Sequence, residues 1–400
     1  MKDEFSRRRL LAAGGLSILG GVGYAAHRRQ FVLDDVAAAA PPVGNVVTAS
    51  DAHWNAAVTD FREAVSEFRR TREQTNILPS LDDSLVATGE FDGTVEHART
   101  RLNRWEGVEE LRAMTIRASL KAAYLDAATG RLSPAEARSR YDSFDSPSAD
   151  VVRYDHGPFE ACLVQAATAE FRLADARRRY GLAESSVDEV GSEETAYAMS
   201  HLAATRLFTN DADRLVVALP KRPNHRERLV TAYEALAPTT ERNLERLRIE
   251  GMELSFLLGT MWAGTARENA ERDYNGGQVA SAVLHLLRAR LVTPAIDELN
   301  AAASEINVPF SPRIETESHR ATAEFETALS NADSPVSRLL LEPARGVLAN
   351  AIQHAEQSSE YLYRERVRRH IYFEFRFARA LATNVSPVMQ TFRDATDGPS

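Results

Sequence analysis

Residues 51–73 read DAHWNAAVTDFREAVSEFRRTRE. Within them Trp54, Val58, Phe61, Val65 and Phe68 recur at steps of four, three, four and three. On an α-helix that spacing gathers five large apolar side chains into one stripe, with Arg62, Glu63, Glu67 and Arg69 turned to water. Ser50 or Asp51 stands where a cap would accept the first free amides. A stripe of this kind needs a partner helix, so the segment points to helix-on-helix packing rather than to a sheet.

The same alternation of helix and punctuation runs through the chain. Gly107–Ala128 is predicted helical and ends at Gly130. Ser133-Pro134-Ala135-Glu136 opens a helix, with Ser133 as cap and Pro134 at the first helical position. Pro158–Tyr180 forms a third, expected to stop at Gly181, and the acidic stretch Glu184–Glu194 reads as a loop or seam. Ala196–Phe208 is helical; Leu215–Leu219 (LVVAL) has the composition of a short strand, but a lone strand has no partner in the sequence, and the breakers Pro220 and Pro223 follow. Met252–Ala263 (MELSFLLGTMWA) is too short to cross a bilayer and reads as a buried helix. Asn275-Gly276-Gly277 turns the chain into a second helix, 278–306, with a kink expected at Pro294. After Pro309 and Pro312 a single long helix is expected from Pro343 to about Val385. No pattern returns at a fixed period of roughly 30–45 residues, which argues against a solenoid. The expected fold is all-α: an elongated antiparallel helical bundle, or two adjoining ones over 50–190 and 191–400, with one long C-terminal helix.

Composition narrows the function classes. The 400 residues carry a net charge of −9, and residues 31–400 alone carry −13. An acidic surface repels nucleic acid, so no nucleic-acid partner is expected. Arginine outnumbers lysine 45 to 3. Cys162 is the single cysteine, which leaves no internal disulfide and no multi-cysteine metal site; it falls in an apolar helix and reads as a small buried hydrophobe.

The N-terminus has a different layout. Ser6-Arg7-Arg8-Arg9-Leu10-Leu11 precedes an apolar, glycine-rich run to Ala26, followed by His27-Arg28-Arg29. A charged start ahead of a greasy stretch is the plan of an export segment. The arginine pair Arg7-Arg8 directly before it resembles a twin-arginine (Tat) signal, the type that carries folded proteins across a membrane. Ala12 stands where that pattern often has lysine. The resemblance covers residues 1–30. It implies the Tat export machinery as a partner and an extracytoplasmic address, secreted or anchored. Residues 10–26 would contact the membrane if the segment is not cut off, although a helix of that length spans about 25 Å, short of the ~30 Å hydrocarbon core. Residues 31–49, with Ala37–Ala40, Pro41-Pro42 and Gly44, read as a flexible linker.

Motifs that carry chemistry are scarce. No GxSxG elbow and no GxxxxGK[ST] loop occurs. Of ten histidines none forms an HxxxH pair, and none follows a glutamate by three residues; Glu317 and His319, two apart, point to different faces. Scattered histidines, and no metal or other cofactor, are the expectation. One constellation rises above this background. Residues 361–379 read YLYRERVRRHIYFEFRFAR. On a helix Val367, Ile371, Phe375, Ala378 and Ala382 form one buried arc, widened by Phe373 and Phe377. Arg368, Arg369, Arg376 and Arg379 then surround Tyr372 on the remaining sector. Two readings are open. The arginines form a platform for an anion, such as a phosphate, an acidic glycan or a lipid headgroup; or the helix lies inside the bundle and its arginines pair with acids on neighbouring helices. The function expected from all this is a non-enzymatic module that binds a ligand or a protein. The alternatives are a helical-scaffold enzyme using carboxylates as acid and base, and a purely architectural surface protein.

Overall fold

The computed structural model describes residues 33–397, apart from 34–35, 38, 45, 76–86, 102, 149–151, 190, 241–265, 306–310 and 358–364. The export-type segment with Arg7 and Arg8, and the apolar stretch 252–263, therefore lie outside the described residues. Those described form twelve α-helices and no strand; the sole ladder contact among them is an isolated antiparallel bridge between His156 and Lys221.

Helix α1, Asp51–Glu73, starts where the Ser50 hydroxyl accepts from the His53 amide at 3.1 Å. Its buried face is His53, Ala57, Phe61, Val65 and Phe68, while Trp54 and Val58 are half-buried. The helix is turned slightly from the expected stripe because His53, not Trp54, points at the core. Trp54 instead covers Gly107, where an added Cβ would lie 2.7 Å from the indole ring. Helix α2 is Thr94–Arg101 and α3 is Arg104–Ala128. A capping box between Asn103 and Glu106 begins α3, and Gly130, at φ +71°, follows its end. Helix α4, Pro134–Asp142, opens on the expected Ser133 cap with Pro134 in its first turn, and Glu136 completes a capping box.

Helices α5, Phe159–Val187, and α6, Ser192–Val217, pack against each other as a long hairpin. Two expectations change here, and a third point is decided. Gly181 does not stop α5: it keeps a helical backbone, and the turn beyond it is held by burial of Ala183 and Val187 against Tyr141 and Leu202. The expected loop 184–194 thereby shrinks to the residues between 187 and 192. Leu215 and Val217 are the last turn of α6 rather than a strand, because Leu215 is fully buried in helix–helix contact and no second strand exists among the described residues to pair with it.

Helices α7, Arg226–Leu236, α8, Ala266–Asn275, and α9, Val279–Glu305, follow. The hairpin at Gly276-Gly277 is as expected, with Gly277 at φ +79°; α9 continues through Pro294. Helix α9 is apolar and long enough to span a bilayer, but its side chains are mostly buried against other helices, which is how a central core helix reads. Helices α10, Ser311–Ser330, α11, Pro335–Gln357, and α12, Glu365–Asp397, complete the bundle.

The single C-terminal helix expected from Pro343 is two. Pro343 lies within α11, whose start is set at Ser334 and Ser337, each side chain taking the other's backbone amide. Helices α11 and α12 then pack face to face. His354 and His370 would stand about 24 Å apart on one straight helix, yet both touch Glu374, so the chain reverses between them.

Residues 33–49 are not a free spacer. Leu33, Val43, Val47 and Ala49 are buried, the Ala37 amide donates to Ser318 Oγ at 3.2 Å, and Gln165 Nε2 donates to the Thr48 carbonyl at 3.0 Å. Spaced apolar residues make the segment a strap across the bundle. One continuous apolar core runs from this strap through α1, α3, α5, α9 and α11 to Phe392 in α12, crossing the expected boundary at residue 190.

Candidate functional site

The arginine-rich sector of α12 is partly turned inward. Arg379 Nε donates to Glu317 Oε1 of α10 at 2.7 Å, and its Nη2 lies 3.3 Å from Glu298 Oε1 of α9. Arg376 Nη2 reaches the same Glu298 oxygen at 3.3 Å. Burial works against the Arg379 charge, but the bond to Glu317 outweighs it and holds the guanidinium above its ordinary value. Arg368 is buried, which pulls its pKa down despite Glu365 nearby, and Arg369 Nε is also shut off from solvent. Tyr372 is half-buried, edge-on to Phe373 at 5.6 Å. The expected apolar arc is present: Ile371, Phe375, Ala378 and Ala382 are buried, with Phe373 and Phe377 beside them. For Arg376 and Arg379 the geometry is that of an inner helix paired with acids on its neighbours.

The same helix carries a cluster absent from the expectations. Glu374 is fully buried, and two imidazoles converge on its carboxylate. His354 Nδ1, from the last turn of α11, lies 2.9 Å from each oxygen; His370 Nε2, one turn before Glu374 on α12, lies 3.2 Å from Oε1. The rings are 5.5 Å apart and tilted by 45°. Burial alone would raise the Glu374 pKa, but the bonds from His354 and His370 outweigh it and hold the carboxyl below its usual value. The bond to Glu374 likewise raises His354. The side chains of His354 and His370 are 41% and 23% exposed, so one side of the cluster meets solvent. Three donor atoms, one from each residue, fit within 4.8 Å of one another. The histidines expected to be scattered are, at this point, brought together. A His-x-x-x-Glu spacing at 370 and 374 was the legible half of the signal, since residues four apart share a helix face. His354 was not legible, because its approach depends on the reversal between α11 and α12.

Two further polar clusters are sealed inside. Asp211 of α6 receives Arg112 of α3 at Nε (2.9 Å to Oδ2) and Nη2 (2.7 Å to Oδ1), and His53 Nε2 lies 2.9 Å from Oδ1. Arg112 Nη1 also donates to Asp60 at 2.5 Å. Burial would raise Asp211, yet the bonds from His53 and Arg112 keep its pKa low. Glu170 of α5 sits at the first turn of α9, accepting from the amides of Ser281 at 2.5 Å and Ala280 at 3.3 Å and from the Tyr154 hydroxyl. Burial pushes its carboxyl up to about 7 in spite of these bonds. Beside it Asp273 accepts from Ser281 Oγ at 2.9 Å and faces His285 Nε2 at 3.3 Å. The Cys162 thiol is buried and pushed up to about 11, as suits an inert apolar filler.

Chemically these clusters differ in access. Asp211 and Glu170 are enclosed and bonded to several protein donors, so they tie helices together. The Glu374 cluster has a buried acceptor and two imidazoles that reach the surface. No protein-family profile, no curated protein and no solved structure matches the chain.

Proposed function

We propose that this is an exported all-helical protein that binds a ligand or partner rather than transforming a substrate. The observation that carries the reading is how the ionisable core is used. A catalytic acid or base must meet substrate in a cleft. Asp211 and Glu170, both fully enclosed, instead spend their oxygens on His53, Arg112, Tyr154 and the amides of α9. A bundle pinned this way offers its outer faces for recognition. An anion bound along α12 would compete with Glu298 and Glu317 for Arg376 and Arg379, which leaves a protein partner or a ligand of positive charge as the better match to this acidic molecule.

The address rests on Ser6–Leu11 and the apolar run behind it. Delivery through the Tat machinery suits a chain whose fold depends on buried polar pairs far apart in sequence, because it arrives already assembled. The membrane is reached through residues 10–26 for as long as they stay attached. Changing Arg7 and Arg8 together to Lys is expected to hold the protein in the cytoplasm, read by cell fractionation. Unchanged arrival outside would remove the Tat reading.

A further inference from the structure

We propose that His354, His370 and Glu374 form a binding site for a first-row divalent transition ion of the Zn2+ class. Two imidazoles and one carboxylate are the donor set such ions take, whereas Mg2+ and Ca2+ select oxygen ligands. Ligand atoms about 2.1 Å from a tetrahedral ion lie roughly 3.4 Å from each other. Here the carboxylate oxygens stand 2.9 Å and 3.2 Å from the two imidazole nitrogens, and the three donor atoms lie within 4.8 Å of one another. The two carboxylate–imidazole spacings are within a few tenths of an ångström of that value, and the remaining adjustment falls to rotation of the imidazole side chains.

Three features favour the cation. Glu374 is a fully buried carboxylate on which both imidazoles converge, so its oxygens face the two ring nitrogens rather than bulk water. His354 belongs to the last turn of α11, where the helix carbonyls carry partial negative charge. The donors come from two helices packed face to face, so the site is rigid in the direction that matters for coordination. Arg366, one turn before His370 on the same face, works against the ion, but it is exposed and its charge is screened by solvent. With three protein ligands the fourth position is left to water, reached from the side where His354 is 41% exposed. The inference concerns the folded chain and does not rest on export: it stands in whichever compartment the protein is found.

The test uses the purified full chain, stripped with a chelator and titrated with Zn2+ by equilibrium dialysis and calorimetry. About one equivalent is expected to bind, and His354→Gln, His370→Gln and Glu374→Gln each to weaken it by at least about tenfold. His354→Gln is the decisive variant, because a half-exposed side chain at a helix end is replaced without unfolding the bundle, which circular dichroism checks. Co2+ loaded in place of Zn2+ should show the visible d–d absorption of a four-coordinate site, lost in His354→Gln. If the chain binds no Zn2+, or if the equivalent survives undiminished in the folded His354→Gln and His370→Gln variants, the site is a hydrogen-bonded clasp and the proposal fails.

Discussion

Arg112 shows what a single side chain does in this molecule. It is almost fully enclosed, and its guanidinium joins α3 to Asp60 of α1 and Asp211 of α6. Bidentate arginine–carboxylate bonds are among the strongest polar contacts available, yet their value lies in leaving no charge alone. Asp211, at zero exposure, has His53 as its other partner. Arg112→Leu leaves that carboxylate buried with the imidazole alone and should cost about 3–5 kcal/mol, seen as a lowered urea midpoint with an unchanged slope. A loss below about 1 kcal/mol would mean that Asp211 is reached by water and that the clasp is not what joins α3 to α6. His53 was legible in the sequence as part of a helix, but not as the residue that would take the inner position from Trp54. Stripe spacing ranks positions by apolarity, and a histidine wins such a position when an enclosed carboxylate waits for it 158 residues away.

At the scale of elements, local chemistry was readable where it acts within one turn. The cap at Ser133 and the glycine turns at Gly130 and Gly277 work between neighbours in sequence, so reading them in order suffices, whereas the box at Asn103–Glu106, which starts α3 before Gly107, was passed over. Gly181 misled because a glycine ends a helix by adopting a left-handed backbone, and here packing of the following turn keeps it helical. Pro343 misled for the converse reason: proline suits a helix start, but α11 already began at Pro335. The strap 33–49 is the element whose behaviour separates the two views most sharply. A linker would tolerate truncation of its apolar side chains. Leu33 is 1% exposed and belongs to the main core, so Leu33→Ala should lower stability by about 2 kcal/mol or more. Chemical denaturation of the purified variant measures this, and an unaltered midpoint would return the segment to the status of a spacer.

At the scale of the whole molecule, its enclosed carboxylates set how stability responds to pH. Burial raises Glu170 from 4.5 to about 7, so the folded state holds that proton more tightly than the unfolded chain does. Below about 4.5 both states are protonated and the contribution is complete. As pH rises from there towards 7 the unfolded chain ionises first, and stability falls by on the order of 3 kcal/mol before levelling off. Asp211 and Asp273 act in the opposite sense: their folded values lie below 3.8, so their contribution is present above that pH and lost on further acidification. Thermal melting should therefore peak at mildly acidic pH and decline towards pH 8, and Glu170→Gln should flatten the decline. A wild-type profile flat between pH 5 and 8 would show that Glu170 is ionised and hydrated in the fold. By itself the sequence determined that this chain is helical, where many of its helices start and stop, and which faces are greasy, because those properties arise from bonds and contacts three or four residues apart. Only the tertiary structure decided that His53 meets Asp211, that Glu170 meets the start of α9, that 33–49 lies against the core, and that His354 joins His370 and Glu374. Those pairings reach from 20 residues, for His354 and Glu374, to 281, for Ala37 and Ser318, and are set by how whole helices stack, which no local pattern encodes.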